Sequence, residues 1–132
     1  MPWSLEDRFR IPENSVVLAF IESQNPSAHD EVASMLTSSA RGLRDVGCYC
    51  PDLHAYAYVV LHTRSNRIFG IAYGMSALAF RLPKAVITEA LADGGSNCAE
   101  IGGDWISVTK HVDVWCKRAH GYVVSDHFGT ER

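Results

Sequence analysis

The chain has 132 residues, 47% of them hydrophobic, and 12 lysines and arginines against 15 aspartates and glutamates give a formal net charge of −3. That length fits one domain, residues 1–132, and lets it bury about two-thirds of the surface of the unfolded chain; the composition excludes the disordered and collagen-like classes. No apolar run approaches the roughly 18 to 20 residues of a membrane span, and MPWSLEDRFR lacks the basic start, apolar middle and cleavage site of a secretory signal, so a cytoplasmic protein without a membrane partner is expected.

In chain order, Trp3–Phe9 suits a helical turn begun by Ser4, with Asp7 three residues on. SVVLAFI at Ser15–Ile21 is continuously apolar and β-branched at its start, and is expected to be a strand covered on both faces. The next helix begins at Pro26 or Ser27, capped either by Asn25 or by Ser27 with Asp30. Its apolar stripe is Val32, Met35, Leu36, Ala40 and Leu43, and Gly47 is the expected stop.

After a loop containing Pro51, Ala55–His62 and Ile68–Tyr73 form a hairpin around Arg64, Ser65 and Asn66. Gly74 and Met75 turn into a third strand, Ala77–Leu82, in which Leu78, Phe80 and Leu82 alternate with small or charged residues. Pro83 opens a short helix with Val86, Ile87, Ala90 and Leu91 inward, ended by Gly94 and Gly95. Cys98–Ile101 and Trp105–Val108 read as short extended runs, and Gly102, Gly103 and Asp104 between them as a turn. That turn precedes a strand and lacks the Lys and Ser/Thr of a phosphate-cradling loop. A last helix from about Lys110 presents Val112, Trp115, Ala119 and Tyr122 or Val123 to the sheet. The order predicts an α+β domain: an antiparallel meander with helices packed on one face, in two layers.

NRIFGIAYG, then ALAFRLP, a helix from Lys84, GDWISV and a helix with Trp115, Ala119 and Tyr122 are similar, over roughly the carboxyl-terminal half, to the YjbR-like and TfoX amino-terminal-like domains of bacteria. The resemblance implies a DNA- or protein-binding domain and carries over no catalytic residue. The chain departs from it where a strand at Ser15–Ile21 precedes the long helix.

The charge is unevenly spread. Between residues 41 and 84 stand Arg41, Arg44, Arg64, Arg67, Arg81 and Lys84 against only Asp45 and Asp52, between acidic flanks. His62 ends one strand beside Arg64, and Arg67 begins the next, so one end of the sheet gathers positive charge able to hold a phosphate or carboxylate. The expected ligand-binding set is therefore His62, Arg64, Arg67 and Arg81, set against the plainer reading that a hairpin tip is solvated and its arginines guard the sheet edge. Tyr56, Tyr58, Phe69, Tyr73, Phe80 and Trp105 are expected in the core, with any left exposed marking a binding surface.

Cys48, Cys50, Cys98 and Cys116 are expected as free thiols rather than disulfides. Cys48, Cys50 and His54 are zinc ligands by type, and Cys98, Cys116, His111 or His120 could complete a set, although the C-x-C spacing is unlike the common sites. Cys116 and His120 lie four apart on one helix face, where a cysteine nucleophile with its base is set against the plainer reading that Cys116, next to Trp115, is half-buried packing. The favoured expectation is a small binding or interaction module without a cofactor, able to pair with itself and to take an anionic ligand or nucleic acid; a thiol-dependent enzyme or a zinc domain is the alternative.

Overall fold

The computed structural model describes residues 10–24, 30–49, 58–74 and 77–130, with the side chains of 22–24, 49 and 126–130 left out of that description. A 3-10 turn at Pro12–Asn14 leads into α1 (Ser15–Gln24) and α2 (Asp30–Ala40). Then come β1 (Val46–Tyr49), β2 (Tyr58–His62), β3 (Arg67–Tyr73), β4 (Ala77–Arg81), α3 (Lys84–Ala92), β5 (Ser96–Asn97), β6 (Trp105–Val108) and α4 (Val112–Thr130). The strands form one sheet in the order β1-β2-β3-β4-β6-β5, every neighbouring pair antiparallel. The fold is thus α+β, and the meander expected from the sequence covers β1 to β4; β6 then returns beside β4 and leaves two-residue β5 at the edge.

The expected strand at Ser15–Ile21 is a helix. Asn14, Val17, Leu18 and Ile21 are buried while Val16 is 48% exposed, a spacing of three and four that fits 3.6 residues per turn. Outward-facing Val16 and Ala19 are themselves apolar, so the helical stripe was hidden inside a continuous apolar run. Pro12 starts the preceding turn, and the Ser15 hydroxyl donates to the Pro12 carbonyl at 2.8 Å.

The Trp3–Phe9 turn and the proposed caps of α2 at 25–27 lie outside the described residues. Within α2, Val32, Leu36 and Ala40 are buried and Leu43 partly so, but Met35 is 47% exposed. The helix stops at Ala40, with Gly42 at φ 90° just beyond, where an L side chain would be strained. Gly47 is therefore not the helix stop. It lies in β1 opposite Leu61, a strand too short and too glycine-weakened to be legible before its partner is known. The extended run expected at Cys98–Ile101 is likewise a turn, closed by the Ile101 and Gly102 amides donating to the Cys98 carbonyl at 3.0 and 3.1 Å.

Both faces of the sheet are covered. On one, α2, α3 and α4 bury Leu36, Ala90, Trp115, Cys116 and Ala119 against Val60, Phe69, Phe80, Leu82 and Ile106. On the other, Val17, Leu18, Phe20 and Ile21 of α1 meet Val59, Leu61, Ile68, Ile71, Ala79 and Trp105. A bulge directs this sorting: Val60 pairs with Gly70 but Leu61 with Ile68, which leaves Phe69 as the extra residue of β3. Ile68 and Ile71 therefore share one face, and Phe69 and Ala72 the other. Beside the bulge Gly70 has no room for a side chain, since a Cβ there would sit 2.8 Å from Val60 Cγ2 and 2.9 Å from the Phe80 ring.

Asn14 ties α1 to the end of the sheet. Fully buried, it accepts the Ile68 amide on Oδ1 at 2.8 Å and donates from Nδ2 to the Asn66 carbonyl at 2.7 Å. Those two backbone groups flank Arg67, so this one amide fixes the base of the β2–β3 hairpin.

Candidate anion-binding site

The hairpin tip is built by backbone geometry. The His62 carbonyl accepts the Ser65 amide at 3.2 Å and the Asn66 amide at 2.7 Å, and Asn66 takes φ 60°, a left-handed conformation that asparagine tolerates better than most residues. This turn holds Arg64 out at the tip, exposed. Asp45, at φ 55°, turns the chain into β1 and accepts the Thr63 amide on its carbonyl at 2.7 Å, which brings Arg44 and Asp45 alongside.

α4 supplies the remaining wall. His120 Nε2 lies 2.8 Å from the Arg44 carbonyl, and a carbonyl can only accept, so Nε2 carries the proton and Nδ1 is the acceptor of the neutral ring. The His120 ring stands edge-on to His62, with centroids 6.1 Å apart, and to Phe69 at 5.7 Å. His62 is buried, with Nδ1 2.9 Å from the Ser65 hydroxyl. Arg44, Asp45, His62, Arg64, His120 and Val124 line a cavity of about 160 Å³. Two guanidiniums against one carboxylate give this lining a formal charge of +1 with both imidazoles neutral, and +3 with both protonated.

Of the four residues expected to bind a ligand, the fold brings His62 and Arg64 to this cavity and gives the other two to carboxylates. Arg67 is only 7% exposed rather than solvated at a tip, and its guanidinium lies 3.3 Å from Glu13. Arg81 donates from Nε to Asp104 at 2.7 Å and lies 5.9 Å from the centre of the Tyr122 ring. Arg44 and Arg64, by contrast, form no ion pair among the described residues. Arg44 stands in the basic stretch of the sequence, which signals it weakly. His120 is 76 positions from Arg44, and nothing local in the sequence marks it as a member of this site.

The three described thiols, Cys48, Cys98 and Cys116, sit in environments that oppose ionisation. Burial pushes the Cys116 thiol up to about 12, with Asp113 adding to it, and burial pushes Cys98 up to about 11 despite a 3.0 Å hydrogen bond with the Tyr73 hydroxyl. Cys48 is raised by desolvation, partly offset by Thr37 at 3.6 Å. A nucleophilic cysteine needs the opposite environment, and His120, the base suggested for Cys116 by spacing, is oriented by the Arg44 carbonyl. Of the zinc trio, Cys50 and His54 lie outside the described residues, and among those described no group of three or more His, Cys, Asp or Glu could hold a metal ion.

Phe69, Phe80 and Trp105 are core residues; Tyr58 and Tyr73 are half-buried and pack against the two core clusters. Tyr56 lies outside the described residues. Gly102, Gly103 and Asp104 form the expected turn, with the Trp105 amide donating to the Gly102 carbonyl at 3.2 Å. No helix among the described residues is long and apolar enough to cross a membrane. Comparison with protein-family models, with curated proteins and with solved structures finds no match.

Proposed function

We propose that this protein is a small cytoplasmic binding module that takes a compact anionic group at the end of its sheet, with Arg44 and Arg64 supplying the charge and His62 and His120 the walls. The observation that carries this reading is the cavity itself, where two arginines without ion-pair partners among the described residues converge with two histidines from separate elements. Guanidiniums are geometrically selective, charge-assisted donors to oxyanions. Arg67 and Arg81 belong to the frame around the cavity, being paired with Glu13 and Asp104.

A compact anion fits better than a nucleic-acid backbone. The chain is net negative, and Arg67, Arg81 and Arg118, which could have extended a basic face, each pair with a carboxylate. The similarity to YjbR-like and TfoX amino-terminal-like domains is part of the proposal as a relation of architecture, and self-association accompanies it as a further expectation.

The test is titration with inorganic phosphate followed by heat and by amide chemical shifts. Arg64→Ala and Arg44→Ala each remove a charge-assisted bond worth about 1.5 to 3 kcal/mol, so each should weaken binding about tenfold or more with little change in melting temperature. Undiminished affinity in both variants, or no phosphate binding by the unmodified protein, would refute the reading.

A further inference from the structure

We infer that the cavity takes a phosphoryl group together with a proton, with His120 becoming imidazolium as the anion binds; this rests on the anion-binding reading above. The argument begins with the fixed tautomer. Because His120 Nε2 donates to the Arg44 carbonyl, Nδ1 of this cavity-lining ring carries only a lone pair while the ring is neutral, and a lone pair repels an oxyanion. Proton uptake at Nδ1 converts that acceptor into a charged donor without breaking the bond to Arg44.

Among the described residues, the charged and titratable groups that line the cavity with His120 come from two other segments. The segment after α2 contributes Arg44 and Asp45, β2 and its turn contribute His62 and Arg64, and β3 presents the uncharged Phe69 ring. A bound anion places negative charge beside the cavity-lining ring and favours its imidazolium form, so anion and proton enter as a pair.

Size and donor number select the ligand. A cavity of about 160 Å³ is smaller than the roughly 300 Å³ at which pockets for whole organic ligands begin, so it suits the headgroup of a molecule whose remainder stays outside, or the free ion. A carboxylate offers two oxygens in a plane and one charge. A phosphoryl group offers three oxygens in different directions and up to two charges, which matches donors converging from the α2–β1 segment, the β2–β3 turn and α4.

The experiment uses the whole protein and three probes, sulfate, phosphate and phenyl phosphate, in calorimetric titrations between pH 5.5 and 8.5. Sulfate keeps its charge across that range, so any pH dependence of its affinity reports protons on the protein. Its affinity should fall about tenfold per pH unit above the imidazole range, and titrations near neutral pH in buffers of different ionisation enthalpy should show uptake approaching one proton. His120→Gln can still donate to the Arg44 carbonyl but cannot titrate; it should bind sulfate about tenfold or more weakly at pH 6 and without pH dependence.

Sulfate binding that is independent of pH in the unmodified protein overturns this inference while leaving the anion-binding reading standing, and absence of binding by all three probes removes that reading itself. Proton uptake that survives His120→Gln but disappears in His62→Gln assigns the proton to the other ring and also overturns it. A control titration with acetate, run in the same way, overturns the phosphoryl assignment if acetate binds as tightly as phosphate. Preference for phenyl phosphate over inorganic phosphate supports the phosphoryl end of a larger molecule, and the reverse preference supports the free ion.

Discussion

Replacing Asn14 with alanine tests how the amino-terminal helix is joined to the site. Its side chain is fully buried, and truncation leaves the Ile68 amide and the Asn66 carbonyl without the partners they have at 2.8 and 2.7 Å. Each buried polar group left unsatisfied costs about 1 to 3 kcal/mol, partly recovered where water enters. Asn14→Ala should therefore cost about 2 to 5 kcal/mol, which at roughly 3 to 4 °C per kcal/mol for a chain of this size lowers the melting temperature by about 6 to 20 °C. Urea denaturation followed by tryptophan fluorescence measures the free energy, and the hairpin amides should show the largest chemical-shift changes. Asn14→Asp is the control. It keeps the acceptor for Ile68 but turns a carboxylate oxygen toward the Asn66 carbonyl, so the introduced carboxyl has a raised folded pKa. The folded state then binds its proton more tightly than the unfolded one, and this variant should regain stability as the pH falls through that raised value toward the ordinary aspartate range near 3.9. A loss below about 1 kcal/mol for Asn14→Ala, or no recovery of Asn14→Asp in acid, would refute the claim that this amide holds the hairpin.

Gly70→Ala should cost about 1 to 3 kcal/mol through overpacking against Val60 and Phe80; a melting temperature equal to that of the unmodified protein would contradict the close approach. Arg67→Ala should lower stability through loss of its pairing with Glu13, with far less effect on phosphate affinity than Arg64→Ala, so equal losses of affinity in the two would argue against separating frame from site. An alkylating reagent near neutral pH should modify Cys48 much faster than Cys98 or Cys116, which are buried and pushed up to about 11 and about 12; mass spectrometry of the labelled protein decides this. Asp93 is held below the usual carboxylate range, first by its hydrogen bond from His111 and then by that from Trp115. Its folded pKa being depressed, its contribution is present above the unfolded value and lost as the pH falls through the folded one, so Asp93→Asn should flatten the acid limb of the stability curve.

Patterns that repeat within a few residues were legible in the sequence. The β2–β3 hairpin, the alternation in β4, the helix after Pro83 and the Trp105 strand all follow from spacing and turn chemistry, and half of the cavity, His62 and Arg64, could be placed because both lie on that one hairpin. The helix α1 was not legible, because its outward residues Val16 and Ala19 are apolar and a helix whose exposed side is apolar has the same pattern as a buried strand. β1 was hidden for a different reason, since four residues including Gly47 become a strand only through pairing with β2. The other half of the cavity depended wholly on tertiary structure. Whether an arginine is available to a ligand turns on whether a carboxylate distant in sequence reaches it, as Glu13 reaches Arg67 across 54 positions and none does for Arg64 among the described residues. The sequence by itself determined where positive charge is concentrated; only packing decided which of those charges are neutralised in place, and it carried His120 from the last helix to stand beside the rest.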